Sequence, residues 1–115
     1  MNQYDNFFLP ATDLEAGRRF YQDGLGLAVK FDFPDRKMLA FRVGTEEPAI
    51  ILNGNPGAKP VIWFVVADVD QEYQRLQAKG IQFLSKPFPI KTGKAVEFED
   101  PYGNRLGITD YNQKQ

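Results

Sequence analysis

The sequence contains two similar segments, and this internal repeat limits the fold more than any other feature. Residues 6–14, NFFLPATDL, and residues 61–69, VIWFVVADV, each read as an apolar strand that ends in Asp and an aliphatic residue. Asp13 and Asp68 are the equivalent positions, 55 residues apart. A fixed period of this kind indicates that one supersecondary unit is present twice. The chain of 115 residues has room for both copies in one compact domain.

A helix-like segment follows each apolar strand. Residues 14–23 and residues 69–79 place apolar side chains at helical spacing, and a glycine comes after each segment. The Thr12–Glu15 and Asp68–Gln71 segments fit the capping box, in which a short polar side chain accepts the first free N–H of a helix. Both helices are therefore predicted to begin just after an apolar strand.

Three strand candidates follow each helix, so that each copy is predicted to be β-α-β-β-β. The candidates are residues 28–33, 37–43 and 49–53 in the first copy and residues 82–86, 94–99 and 105–111 in the second. Period-two alternation places Leu39, Phe41 and Val43 on the helix-covered face of their strand.

The fold class predicted from this order is α+β. We expect a single domain over residues 1–115, with one repeat at 6–53, a Gly- and Pro-rich linker at 54–60 and a second repeat at 61–111. One such unit alone would leave an unpaired sheet edge, whereas two units side by side make an eight-stranded cupped mixed sheet. The helices would cover its convex face, and the concave face would form a cleft.

The composition excludes several classes of function. The chain has no Cys and no His, so it cannot form a disulfide, a thiol nucleophile or a Ser-His-Asp triad. The formal net charge is −1 and no basic stripe is present, which argues against nucleic acid as a partner. No apolar run approaches the ~20 residues of a membrane span. A cytoplasmic protein is the default expectation.

Several motifs now suggest a family. The segment Phe20-Tyr21-x-x-x-Leu25-Gly26, the two helix-start aspartates and the turn Phe98–Asn104, FEDPYGN, occur in order along the chain. This set resembles the vicinal oxygen chelate superfamily, which includes glyoxalase I, bleomycin resistance proteins and extradiol dioxygenases. The resemblance implies the cupped sheet predicted above, and it leaves the activity open because one scaffold supports many functions.

The resemblance also implies where a metal ion would bind in active members of the family. The equivalent positions in this chain are Asn6, Val61 and Gly107. Val61 and Gly107 have no side-chain ligand, and Asn6 has only a neutral amide oxygen. We therefore expect no metal ion and no other cofactor.

Strand alternation predicts which side chains would line the cleft. Phe8 and Trp63 are large aromatic residues on that face, and their burial would need a ligand, a partner subunit or a loop. The polar candidates offer two alternatives: Arg42 or Arg105 binds a carboxylate or phosphate while Glu97 holds a cation or accepts a proton, or Arg42 and Glu97 form a weak ion pair. The complete set of predicted ligand-binding residues is Asn6, Phe8, Met38, Arg42, Trp63, Glu97 and Arg105.

Three functions are compatible with these features. The first is a metal-independent protein, similar to bleomycin resistance proteins, that sequesters an amphipathic or aromatic compound in the cleft as a homodimer. The second is an enzyme of the same superfamily, a lyase, an isomerase or a dioxygenase. The third is an interaction module whose cleft is filled by its own loops or by another protein.

Overall fold

The computed structural model describes residues 1–45 and 48–113. These residues form eight strands and two α-helices with mixed parallel and antiparallel strand pairing, which confirms the predicted α+β class. Each half has the predicted order β-α-β-β-β. The elements are β1 Gln3–Pro10, α1 Leu14–Arg18, β2 Ala28–Phe33, β3 Met38–Arg42, β4 Ala49–Asn53, β5 Val61–Val65, α2 Val69–Ala78, β6 Phe88–Ile90, β7 Gly93–Glu99 and β8 Arg105–Thr109.

The chain divides into two compact units. The N-terminal unit is Asn6–Pro60, and the C-terminal unit combines Met1–Asp5 with the chain from Val61 onward, so β1 begins in one unit and ends in the other. The strand order is β2-β3-β4-β1 in the N-terminal unit and β5-β8-β7-β6 in the C-terminal unit. In each unit the first strand pairs in parallel with the last, and the remaining pairs are antiparallel.

The core of the N-terminal unit lies between α1 and one face of the sheet. Leu39, Phe41 and Leu52 are its buried centre, and Leu14 of α1 packs against them. Gly17 allows the helix to approach closely, since a Cβ atom at this position would lie 2.5 Å from Cδ1 of Leu52. The predicted alternation in β3 is therefore confirmed for its two buried residues.

The core of the C-terminal unit has the same arrangement. Apolar side chains of β7 and β8 pack under α2. Val69 in the first turn and Leu76 in the third turn are the buried residues of this helix. The buried cluster consists of Val66, Val69, Val96, Phe98 and Ile108. These side chains alternate with those of the opposite face, which carries the polar residues considered below.

The first helix begins at Leu14 as predicted, and its helical segment ends at Gly24, one residue later than predicted, but the predicted capping box at Thr12 is wrong. Asp13, not Thr12, is the N-cap, and its carboxylate accepts the N–H of Ala16 at 3.1 Å. The helix is α-helical only over Leu14–Arg18, and Arg19–Gly24 continues it with the wider π-helical geometry. Apolar spacing does not separate these two geometries over so short a segment. The second predicted cap is confirmed, because Asp68 accepts the N–H of Gln71 at 3.1 Å.

The predicted strand at residues 82–86 is also wrong. This segment contributes one isolated bridge between Phe83 and Phe98, and the strand lies later, at Phe88–Ile90. A short turn joins this strand to β7, so that Phe88 pairs with Ala95. The strand is at the edge of the sheet, where Pro89 is tolerated because an edge strand has N–H positions that need no partner.

Two other predicted strands are too long. The strand predicted over residues 37–43 is Met38–Arg42, because Lys37 has a left-handed φ of 54° and Val43 lies beyond the end of the strand. Val43 is exposed and does not belong to the buried helix-side set in which we placed it. The strand predicted over residues 105–111 ends at Thr109.

Candidate functional site

The N-terminal unit presents apolar side chains on the sheet face opposite α1. Phe8, Ile51, Ala40 and Phe31 lie in one row across four strands, and the next row contains Met38 and Phe33. We call these six residues the aromatic face. Ala40 and Ile51 are buried, whereas Phe8, Phe31 and Met38 are half-buried. The small residue Ala40 therefore lies between the larger side chains of Ile51 and Phe31 in this row.

A β-bulge in β2 places two of these aromatic residues on this face. Val29 pairs with Phe41 and Phe31 pairs with Ala40, so Lys30 is the extra residue between them. In a regular strand Phe31 would follow Val29 onto the helix-covered face, because odd-numbered residues share a face. Phe31 and Phe33 are not among the predicted site residues, because no local signal in the sequence reveals the bulge.

Phe33 is the most exposed aromatic residue of the aromatic face. Its side chain is 43% exposed, and its ring stacks on that of Phe31 at a centroid distance of 4.5 Å. The guanidinium carbon of Arg36 lies 5.8 Å from the centroid of Phe33, within cation–π distance. The stack is thus held at one end of the face and remains accessible there.

Arg42 lies on the same face as Met38 and Ala40, at the end of β3. Its strand neighbours are Ala28 and Ala49, neither of which carries a charge. The side chain of Arg42 is exposed. The guanidinium group thus belongs to an exposed side chain whose two strand neighbours are small and uncharged.

Asn6 has a structural hydrogen bond in addition to its predicted role. Its Oδ1 atom accepts the backbone N–H of Ala49 at 3.1 Å, one residue before the register of β1 and β4 begins at Phe7 and Ile50. The amide of Asn6 thus fixes the start of β4 against β1. The oxygen that could have served as a weak metal ligand is already an acceptor for this N–H.

Trp63 lies on the equivalent sheet face of the C-terminal unit. It pairs with Gly107, which pairs in turn with Glu97 on the other side. The indole covers Gly107, since a Cβ atom there would lie 2.5 Å from Cε3 and 2.9 Å from Cδ2 of the ring. Trp63 is only 8% exposed in the single chain. Of the three covers expected for this residue, a ligand and a partner subunit are not required for its burial, because Trp63 is already buried within the single chain.

Arg105 lies between two carboxylates of β7. Its Nη1 atom is 3.6 Å from Oε1 of Glu97, and its Nη2 atom is 3.4 Å from Oε2 of Glu99. All three side chains are partly exposed, so that each ion pair contributes about 0–1 kcal/mol. Glu97 thus has a cationic partner within its own unit. The guanidinium charge of Arg105 is more than balanced by its two neighbours.

The three positions at which a family metal ion would bind do not fit such an ion. Val61 is buried and apolar, Gly107 is covered by an indole ring, and the oxygen of Asn6 accepts a backbone N–H. Within residues 1–45 and 48–113, no three Asp, Glu, His or Cys side chains are grouped closely enough to hold a metal ion. Divalent ions need several such donors together.

Two carboxyl groups with a lowered pKa lie outside both faces. The side-chain hydrogen bond from Arg75 lowers the pKa of Glu72 on α2. The side-chain amide of Asn104, followed by its backbone N–H, lowers the pKa of Asp100 in the turn between β7 and β8. Both shifts come from local hydrogen bonds, so these groups stabilise a helix and a turn.

The family model described as Glyoxalase/Bleomycin resistance protein/Dioxygenase superfamily matches residues 3–108. The chain belongs to this superfamily. The match includes both units and nearly every element described above. It confirms the family suggested by the helix-start aspartates and by the turn at Asp100.

Two proteins of Bacillus subtilis (strain 168) are similar to this chain. The uncharacterized protein YraH is 29% identical over 119 residues, which cover 87% of this chain and 91% of YraH. The uncharacterized protein YurT is 31% identical over 117 residues, covering 84% of this chain and 89% of YurT. The similarity extends over almost the full length of both relatives.

Solved structures of the superfamily share the fold at lower identity. A methylmalonyl-CoA epimerase from Mycobacterium tuberculosis superposes with a TM-score of 0.76 at 15% identity, over 96% of this chain and 89% of the epimerase. A superfamily member from Vibrio splendidus 12B01 gives a TM-score of 0.74 at 19% identity, over 96% and 99% of the two chains. At these identities the similarity shows the fold alone.

Neither helix in the described part of the chain is long and apolar enough to cross a membrane.

Proposed function

We propose that this protein binds a small amphipathic or aromatic compound on the aromatic face of the N-terminal unit, without a metal ion. The main observation is that Phe33 and its stacked neighbour Phe31 are directed to this face by a bulge and remain accessible there. Accessible aromatic side chains grouped with other apolar side chains on one face are typical of binding surfaces. Phe8 and Met38, two of the predicted ligand-binding residues, lie in the same rows.

The proposal assigns different parts to the predicted residues of this unit. Phe8 and Met38 would contact the apolar body of the ligand, and Arg42 would contact a polar group. Asn6 would support the site by fixing β4 beside β1. The predicted ligand contacts of Trp63, Glu97 and Arg105 in the other unit stay predictions.

A thermal-shift screen of aromatic amphiphiles tests the proposal. A compound that binds the folded state raises the melting temperature with its concentration. We expect Phe33→Ala to remove most of this shift by removing the accessible ring. Phe20→Ala is the matched control, because Phe20 is 60% exposed in the same unit and lies outside the aromatic face.

Two results would contradict the proposal. One is a broad library of aromatic and amphipathic compounds that gives no shift with the wild-type protein. The other is a ligand that shifts Phe33→Ala as strongly as it shifts Phe20→Ala, since the binding site would then be elsewhere. Isothermal titration with the best compound gives the same comparison as a dissociation constant.

The proposal includes a homodimer, as expected from the resemblance, and a cytoplasmic location, as expected by default from the composition. Analytical ultracentrifugation over a range of concentrations tests the first part, because a dimer has twice the mass of the chain. The enzymatic alternative stays a prediction. The methylmalonyl-CoA epimerase shares the fold at 15% identity, and this similarity assigns no catalytic residue to this chain.

A further inference from the structure

The two arginines predicted to bind an anion have different surroundings. Arg105 has Glu97 and Glu99 at 3.6 and 3.4 Å, so this cluster contains two acids and one base. An incoming carboxylate would have to compete with both glutamates for the guanidinium group and would be repelled by them. Arg105 is therefore poorly suited to bind an anionic ligand.

Arg42 has none of these disadvantages. Its neighbours on both sides are alanines, and the described residues give it no ion pair. The guanidinium group is exposed and has five N–H donors in a planar fork, which suits two oxygens of a carboxylate or phosphate. The structure thus separates two residues that the sequence left equivalent.

Arg42 also lies close to the aromatic face and on the same side of the sheet. Ala40 lies two residues before Arg42 on β3, about 7 Å along the strand and on the same side of the sheet. Ala40 belongs to the row that contains Phe8 and Phe31. A ligand whose apolar body lies on this row would place a head group at Arg42 if the two parts are joined by a few bonds.

We infer that the bound compound is an amphipathic anion whose carboxylate or phosphate is held by Arg42. This inference depends on the proposed function, because the aromatic face must first bind the apolar body. A charge-assisted hydrogen bond to a guanidinium group is expected to increase the affinity about tenfold over a neutral head group. The gain should decrease with salt, because Arg42 is exposed.

Four probes with one apolar body test the inference. They are 3-phenylpropionate, 3-phenylpropyl phosphate, 3-phenylpropan-1-ol and 3-phenylpropylamine, titrated against the wild-type protein by calorimetry. We expect the carboxylate or the phosphate to bind about tenfold more tightly than the alcohol, and the amine to bind least tightly. The first two probes also distinguish a carboxylate ligand from a phosphate ligand.

Arg42→Gln should remove the advantage of the anions and leave the affinity for the alcohol unchanged. Arg19→Gln is the matched control, because it makes the same charge change in the same unit on the π-helical segment. Equal affinities of anion and alcohol in the wild type, or tightest binding of the amine, would overturn the inference and leave the proposed function standing. Loss of the advantage in both variants would show a general charge effect and would also overturn it. If no probe binds the wild type, the proposed function fails and the inference fails with it.

Discussion

At the scale of single residues, the indole of Trp63 occupies the space into which a side chain at position 107 would extend. A Cβ atom on residue 107 would lie 2.5 Å from Cε3 of the indole, well inside contact distance. Gly107→Ala therefore requires the ring or the strand to move, and overpacking of this kind costs about 1–3 kcal/mol. We expect this loss in the free energy of unfolding measured with urea.

A double-mutant cycle checks the physical cause. Trp63→Leu removes the indole, so that Gly107→Ala should cost much less in the Trp63→Leu background than in the wild type. The difference between the two costs is the coupling energy of the pair, expected at about 1–2 kcal/mol. Additive costs would show that the alanine acts through the strand backbone and that the ring is not the obstacle.

The turn between β7 and β8 gives a prediction about pH. Asp100 accepts hydrogen bonds from the side-chain and backbone N–H groups of Asn104 and from the N–H of Tyr102, and these bonds lower its pKa. A carboxyl with a lowered folded-state pKa stabilises the fold above its unfolded value of about 4. This stability is lost as the pH falls through the folded pKa.

Asn104→Ala should raise the pKa of Asp100 toward its ordinary value, because the side-chain donor is the largest cause of the shift. A carbon-detected NMR titration of the carboxyl group measures this directly. The stability difference between wild type and variant should shrink when the pH falls below about 4. Asn55→Ala, in the other turn-rich segment, should leave the titration of Asp100 unchanged. An unchanged pKa in Asn104→Ala would contradict the assignment.

At the scale of secondary-structure elements, the carboxylate of Asp110 joins three parts of the C-terminal unit. It accepts the N–H of Val69 at the start of α2 at 2.8 Å, the N–H of Lys94 on β7 at 3.0 Å and the N–H of Asn112 at 3.3 Å. The residue is 3% exposed. The absence of a side chain at Gly93 leaves space for Asp110, since a Cβ atom at position 93 would lie 2.5 Å from the backbone oxygen of Asp110.

Asp110→Ala should therefore destabilise the protein by about 3 kcal/mol, because buried N–H donors lose their acceptor. Chemical denaturation measures the loss, and hydrogen exchange should show faster exchange at the amides of Val69 and Lys94. Asp35→Ala is the control, since Asp35 is exposed and its removal should change stability by less than about 0.5 kcal/mol. A small effect of Asp110→Ala would mean that other acceptors or water replace the carboxylate.

The elements that the sequence predicts correctly are those with strong local signals. Apolar alternation places β3 and β8 within two residues of their observed ends, and Asp68 marks the start of α2. The missed features depend on partners distant in sequence. The edge strand lies at Phe88–Ile90 because of its turn into β7, whereas the predicted segment 82–86 has the stronger local pattern.

In the candidate site, too, local patterns are predicted correctly and features that depend on distant strand partners are missed. Alternation correctly groups Met38, Ala40 and Arg42 on one strand face, because period-two spacing is a property of the strand itself. Phe31 and Phe33 were missed because a single extra residue, Lys30, reverses the faces of the following strand. The ion pairs of Arg105 were also missed, since they depend on the register between β7 and β8.

At the scale of the whole molecule, the inventory of side chains decides which metal ions could bind. The chain has no His and no Cys, so the 15 Asp and Glu residues are its only charged ligands. Those in the described ranges do not come together in groups of three. A site with nanomolar or micromolar affinity for a transition metal needs imidazole, thiolate or several carboxylates in one place. We therefore predict that the folded protein has no stoichiometric metal ion.

Metal addition and removal test this prediction on the intact protein. A metal ion that binds the folded state at 100 times its dissociation constant adds about 2.7 kcal/mol of stability, which in a chain of this size raises the melting temperature by roughly 10 °C. We expect shifts below about 1 °C with manganese, nickel, zinc or ferrous iron, and no change after incubation with EDTA. Elemental analysis of protein purified without chelators should find well under one ion per chain. A stoichiometric ion that EDTA removes with a fall in melting temperature would show that the chain binds metal through ligands other than those at Asn6, Val61 and Gly107.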